Sequence, residues 1–294
     1  MSEARIQQIL KLSNYMASGF PYYSGVYSPV INTVTNNANI ILKKSTNNWY
    51  TIRSTGANHT IDSLVVGDAI LGTFSEITIS PSISVVGTVS SNWSNYFQIR
   101  WWDSSNIAVF TTDYDSPHAL KLYTVNISTG VSTSKGTLIA SPTASYTGLK
   151  VGVNSTHIYV QTSTTAGYNS QIKKYLKTDL SATDYTCPLL YIYTGSSTIS
   201  NFTYYITMAV TSSYLWFINY RYGSNDSTRL WVSSISDVEK MVCISGEIGH
   251  VFDNSSTKFY YQTDYDGLSV YLKPNSDVGA IYITESDLIK YGVV

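Results

Sequence analysis

From residue 39 onward, short apolar runs alternate with clusters of Ser, Thr, Asn, Asp and Gly. Within the runs, apolar and polar side chains alternate with a period of two, the pattern of half-buried β-strands bounded by turns. The clearest stretch begins at Leu149. Leu149–Val153 reads as a first strand, followed by a tight turn at Asn154-Ser155-Thr156. His157–Gln161 is a second strand, Gln171–Tyr175 a third, and Asp184–Cys187 a fourth. The same order recurs at Tyr205–Val210, Tyr214–Ile218, Arg229–Val232 and Val238–Cys243.

An earlier unit pairs Phe97–Trp102 with Ile107–Phe110 and continues through Leu120–Val125 to a turn at Ser128-Thr129-Gly130. The last unit is read as Val251-Phe252, Phe259–Gln262, Leu268–Leu272 and Ala280–Ile283. Residues 39–75 form a less regular first unit, with Trp49–Ile52 and Leu64–Val66 as its inner strands. Bulky anchors on the third strands fall at Tyr123, Tyr175, Trp231 and Tyr271, at spacings of 52, 56 and 40 residues. A period near 50 with four strands per period is that of a propeller blade. Such a blade cannot bury both faces alone and must stack on its neighbours. The expectation is an all-β, β-propeller-like array of about five four-stranded blades over residues 39–294. A pair of β-sandwiches is the alternative.

Residues 2–18 read as a short N-terminal helix. Ser2 is placed to cap it, Ile6, Ile9, Leu10 and Tyr15 follow helical spacing, and Gly19 and Pro21 stop it. Residues 20–38, rich in Tyr, Ser, Asn and Pro, read as an extended arm, so 1–38 is set apart as a first unit. Met1–Phe20 has no continuous apolar stretch and carries Glu3, Arg5 and Lys11, unlike a signal peptide. No run is long and apolar enough for a membrane-spanning helix.

Charged residues make up 13% of the chain, about half the usual share, so Ser, Thr, Asn and Tyr must supply the polar surface. A net charge of −1 with no Lys/Arg cluster argues against nucleic acid as a partner. Cys187 and Cys243 are too few for a disulfide framework; a bridge between them and two free thiols are both open. Seven Asn-x-Ser/Thr sequons occur, against about five from composition alone. They stand at Asn58, Asn92, Asn126, Asn154, Asn201, Asn225 and Asn254, with Asn154 the best-placed acceptor if the source glycosylates.

The units resemble generic propeller blades but lack the Trp-Asp and Gly-Gly signatures of two common blade families. The composition, rich in Tyr, Ser, Thr and Asn and poor in charge, resembles virion, tail-fibre and spike proteins of phages and archaeal viruses. That resemblance implies a non-enzymatic component of a virion or extracellular appendage, joined to other particle proteins through residues 1–38.

In the last unit as read here, and in two others, the second-to-third loops hold carboxylates or tyrosines. They are Asp113-Tyr114-Asp115, Tyr220-Arg221-Tyr222 and Asp264-Tyr265-Asp266. On this reading all three crowd one face. Carboxylates accept hydroxyl hydrogen bonds and rings stack on sugars, so these residues are candidates for binding a surface glycan. Asp and Gly are also ordinary turn residues. The Asp-x-Asp pairs lack the further oxygen donors of a calcium loop, and no metal or cofactor is expected. His59, His118, His157 and His250 are scattered, and no hydrolase, P-loop or zinc-protease motif occurs. The protein is therefore expected not to be an enzyme. The alternatives are a soluble carbohydrate-binding module and a glycosidase-like propeller using carboxylates such as Asp113, Asp264 and Glu247.

Overall fold

The computed structural model describes residues 41–43, 48–54, 60–68, 73–85, 97–113, 118–140, 151–163, 170–185, 205–220, 228–236, 241–243, 258–264, 267–273 and 279–284. They form five antiparallel sheets, one per repeat. Blade 1 is β1 (Ile41–Lys43), β2 (Asn48–Ser54), β3 (Thr60–Asp68) and β4 (Phe74–Ser84). Blade 2 is β5 (Phe97–Trp101), β6 (Asn106–Thr112), β7 (Leu120–Asn126) and β8 (Ser132–Ile139). Blade 3 is β9 (Val151–Val153), β10 (His157–Ser163), β11 (Ser170–Leu176) and β12 (Ala182–Tyr185). Blade 4 is β13 (Tyr205–Val210), β14 (Tyr214–Tyr220), β15 (Thr228–Ser234) and β16 (Met241–Cys243). The described part of blade 5 is β17 (Lys258–Asp264), β18 (Gly267–Lys273) and β19 (Gly279–Thr284).

Strand order follows chain order in every sheet, as hairpin connections require. The first strands touch in sequence around a ring: β1 with β5, β5 with β9, β9 with β13, β13 with β17, and β17 back to β1. That closure makes the fold a five-bladed propeller and excludes the β-sandwich pair.

Alternation along the strands builds the layers between blades. On β6, Ile107 and Val109 face blade 1, where they join Tyr50, Ile52, Leu64, Phe97, Ile99 and Trp101. Ala108 and Phe110, one residue out of phase, face blade 3 and join Leu120, Leu122, Val151, Ile158, Val160 and Tyr175. Blade 2 is thus apolar on both sides, which is why an inner strand such as β6 reads as a near-continuous apolar run. Tyr50 and Trp101 meet edge to face across the first layer, with ring centroids 5.5 Å apart. Two glycines admit close approach. A Cβ at Gly67 would lie 1.8 Å from the Trp49 ring, and one at Gly152 on β9 would lie 2.2 Å from Val210 Cγ2 on β13.

Blade 5 departs from the sequence reading. Lys258–Asp264, expected as a second strand, is the innermost one, because it touches β13, β1 and β5. Every later strand moves one place inward, so Ala280–Ile283 belongs to the third strand rather than the fourth. Tyr271 then lies on a second strand, opposite Ala280, which accounts for its short spacing of 40. Tyr123 and Tyr175 do pack between blades as expected. By hairpin register they are not equivalents. Tyr175 pairs with Ile158 as Val125 pairs with Ile107, two positions further along the same face than Tyr123. The expected helix 2–18, the arm 20–38, Val251-Phe252 and Cys187 lie outside the described residues. Cys243 ends β16.

Candidate functional site

The strands alternate in direction, so first-to-second and third-to-fourth turns emerge at one end of the ring. Second-to-third connections and the links between blades emerge at the other. Asp113 follows β6, and Tyr220 closes β14, both at the second end. Asp264 closes β17 opposite Gly267, at the first end. The three loops therefore do not share a face. The strand shift in blade 5 separates Asp264 from the other two. Tyr114, Asp115, Arg221, Tyr222, Tyr265 and Asp266 lie outside the described residues.

Asp113 is 5% exposed, and its carboxylate is held by Lys121 at 2.7 and 3.1 Å. Its backbone N–H donates to Ala119 O at 3.2 Å, closing the hairpin, and its carbonyl lies 3.2 Å from His118 Nδ1. His118 has a φ of 56°, the left-handed conformation that tightens this return. A carboxylate so enclosed orders the hairpin rather than presenting itself to a ligand. The flanking hydroxyls of Thr111 and Thr112 are buried without a hydrogen-bond partner among the described residues.

The opposite end carries a repeated turn. In blades 2, 3 and 4 it reads Asp103-Ser104-Ser105-Asn106, Asn154-Ser155-Thr156-His157 and Thr211-Ser212-Ser213-Tyr214. The first side chain accepts from the turn's own backbone: Asp103 Oδ1 from Ser105 N–H at 2.8 Å, Asn154 Oδ1 from His157 N–H at 2.8 Å, Thr211 Oγ1 from Tyr214 N–H at 3.2 Å. The third residue's carbonyl accepts from the residue following the third strand: Ile127 to Ser105, Lys177 to Thr156, Ile235 to Ser213. Asp264 occupies the equivalent first position in blade 5. This is turn chemistry, and the recurring Ser/Asn turn was visible in sequence.

A buried cation, Arg100, and a half-buried one, Lys177, went unrecognised in sequence. Arg100 on β5 is 3% exposed and donates to Val151 O at 2.8 Å, Ile99 O at 2.7 Å and Gln98 Oε1 at 2.8 Å. It ties the first strands of blades 2 and 3 together, and burial lowers its guanidinium to about 10. Lys177 sits 4.1 Å from the centroid of the Trp102 ring and donates to the carbonyls of Trp102 and Asn154. Burial lowers its ammonium to about 8, against an opposing pull from Asp103. Neither was legible because the acceptors that lie far away in sequence are backbone carbonyls, which any residue supplies.

Other described carboxylates also have structural partners. Glu76 accepts from Arg53 at 2.6 Å and Ser63 at 2.8 Å, and Asp179 accepts from Ser181 N–H at 2.9 Å. Among the described residues, no three His, Cys, Asp or Glu side chains are grouped to hold a metal, and no helix is long and apolar enough to cross a membrane. The innermost strands β1, β5, β9 and β13 contain no Asp or Glu, and β17 ends in Asp264.

No protein-family model and no curated protein matches the chain. Solved structures do share its fold. The catalytic domain of the Coprinopsis cinerea GH62 alpha-L-arabinofuranosidase is similar at a TM-score of 0.52 and 11% identity, over 90% of this chain and 97% of that one. An endo-arabinase from Bacteroides thetaiotaomicron has a TM-score of 0.48 at 12% identity, over 88% of this chain and 97% of that chain. An exo-beta-1,3-galactanase from Phanerochaete chrysosporium has 0.48 at 10%, over 84% of this chain. The chain spans 59% of the galactanase's length. These findings correct two expectations. The five-bladed body is one that a glycosidase catalytic domain also uses, so the absence of familiar motifs no longer supports a non-enzyme. The non-enzymatic virion or appendage component, drawn from composition, is corrected as well, because the fold is shared with a glycosidase catalytic domain.

Proposed function

We propose that the protein is a carbohydrate-active propeller of the glycosidase-like kind, engaging glycans at the end where the second-to-third connections emerge. The observation that carries this reading is the extent of the likeness to the arabinofuranosidase catalytic domain, 90% of one chain and 97% of the other, so that a whole body and not a fragment is shared. Glycoside hydrolysis needs two carboxylates about 5–10 Å apart. Asp113 is committed to Lys121, and Asp264 closes a strand at the opposite end. The acid and base are then sought among Asp115, which follows Asp113, and Glu247, between β16 and β17.

A second reading, glycan binding without hydrolysis, is favoured by one observation: four of the five innermost strands carry no carboxylate. Both readings meet in one experiment. The purified protein is incubated with arabinose- and galactose-containing polysaccharides, and released sugars and retention in affinity gels are measured. Release of sugar, abolished by Asp115→Asn or Glu247→Gln, is the expected result. Retention without release would establish the binding reading, and neither across the panel would overturn both.

A further inference from the structure

The outer strand of blade 1 has two different faces. In β4, Ile77 and Ile79 turn toward blade 2 and join the layer between the blades. Phe74, Glu76 and Thr78 alternate with them and lie on the opposite face. All three are exposed in the folded chain, and Phe74 keeps 46% of its surface. Among the described residues the other exposed large apolar side chains, Val131 and Leu176, are aliphatic. Hairpin register sets Thr78 opposite Ser63, and Ser63 opposite Arg53 on β2. Opposed residues share a face, so Arg53 reaches past Ser63 to Glu76. Its Nη2 donates to Glu76 Oε2 at 2.6 Å, and Ser63 Oγ donates to the same oxygen at 2.8 Å.

We propose that this strip, Phe74, Glu76 and Thr78 with Arg53, is a binding site for a neutral glycan on the flank of blade 1. It lies apart from the end where the second-to-third connections emerge, and it needs no hydrolysis.

The chemistry of the strip selects that ligand. An exposed flat ring stacks on the apolar face of a sugar. Carboxylate and guanidinium side by side offer an acceptor and a donor to neighbouring hydroxyls, each of which both donates and accepts. Both ions have capacity left. Among the described residues, Glu76 Oε1 and Arg53 Nη1 make no hydrogen bond, and Arg53 Nε is buried without a partner. Ser63 is 5% exposed and fixes Oε2, which holds the carboxylate in place before a ligand arrives. The two charges cancel, so an acidic or basic partner gains no net attraction, whereas a neutral polyhydroxylated one uses both. A rise of about 3.4 Å per residue sets Phe74 about 14 Å from Thr78, room for a short oligosaccharide rather than one sugar.

An exposed ion pair contributes little to folding, so Phe74 and Glu76 can be changed with the fold intact. Phe74→Leu keeps an apolar side chain and removes the flat ring, and Glu76→Gln removes the charged acceptor. Affinity gels containing arabinan, galactan or, as an acidic control, polygalacturonate compare these variants with the parent. The expected result is retention of the parent by a neutral polysaccharide and not by polygalacturonate. Each substitution should weaken it about tenfold, the loss of one charge-assisted hydrogen bond or its equivalent, at unchanged Tm. Hydroxyl-radical footprinting with the retaining polysaccharide locates the site. Oxidation of Phe74 should fall in the parent and equally in Asp115→Asn and Glu247→Gln. Protection confined to the opposite end would overturn this proposal and leave the reading above standing. Protection of Phe74 with no sugar released would uphold this proposal and count against hydrolysis alone. Equal retention of Phe74→Leu and the parent, preference for polygalacturonate, or no retention on either neutral gel would also overturn it.

Discussion

At the scale of single residues, several polar side chains of the described residues are engaged by the fold itself. Asp113 illustrates it: a carboxylate picked out as a sugar ligand lies buried against Lys121. Asp113→Ala removes the partner of a cation that is itself 27% exposed, so water offsets part of the loss. A destabilisation of about 1–3 kcal/mol is expected in urea unfolding, with glycan retention per folded molecule unchanged. Reduced retention at unchanged stability would restore Asp113 as a ligand. Lys177 gives a pH signature. Its folded-state ammonium lies near 8, below the 10.5 of an exposed lysine, because burial disfavours the charge. The native state therefore releases this proton first. Its contribution to stability is complete above about 10.5 and falls away as pH drops through about 8. Subtracting the stability–pH curve of Lys177→Met from that of the parent should isolate this rise between pH 8 and 10.5. A flat difference would show that the amine titrates normally. The subtraction matters because burial raises the phenol of Tyr159 to about 12, which works the other way at high pH.

At the scale of elements, hairpins and their turns are the units that the chain encodes locally. The Asn154 turn does two jobs that substitution can separate. Its Oδ1 accepts from Thr156 and His157 within the turn, and its Nδ2 donates to Thr211 O in blade 4 at 3.2 Å. Asn154→Asp keeps the acceptor and loses the inter-blade donor, and Asn154→Ala loses both. The expected order in thermal unfolding is parent, then Asp, then Ala, with each lost bond costing about 0.5–1.5 kcal/mol. Equal Tm values for Asp and Ala would mean that the turn bonds contribute nothing. The donor role also places the amide nitrogen, the atom a glycan would join, in a contact with the next blade, which disfavours Asn154 as a glycosylation acceptor.

At the scale of the whole molecule, stability depends on the fit between blades around the ring. Gly152 is the sharpest case, since its missing Cβ is the space that Val210 of the next blade fills. Gly152→Ala should destabilise by about 1–3 kcal/mol as overpacking. Adding Val210→Ala should recover part of that loss, a positive coupling read from a double-mutant cycle. Additive losses would indicate that β9 and β13 do not approach as described. The fold likeness to a glycosidase catalytic domain belongs to this scale too, and it constrains the body of the protein more than any residue in it.

By itself the sequence determined what short-range chemistry controls. Period-two alternation marked out the strands of blades 2 to 4 to within a few residues, with the exception of β8, which was not read as a strand. The Ser, Asn and Asp turns marked their hairpins, and a period near 50 implied about five stacked blades. Only the tertiary structure decided which strand of blade 5 is innermost, because the inner strands of a propeller are apolar on both faces and look alike in sequence. That choice placed Asp264 at the opposite end from Asp113 and dissolved a three-loop site. The structure alone also brought Lys177 to carbonyls in blade 2 and in its own blade, 75 and 23 residues away, and seated Val210 over Gly152. Such pairings depend on ring closure, which joins residues that no local pattern connects.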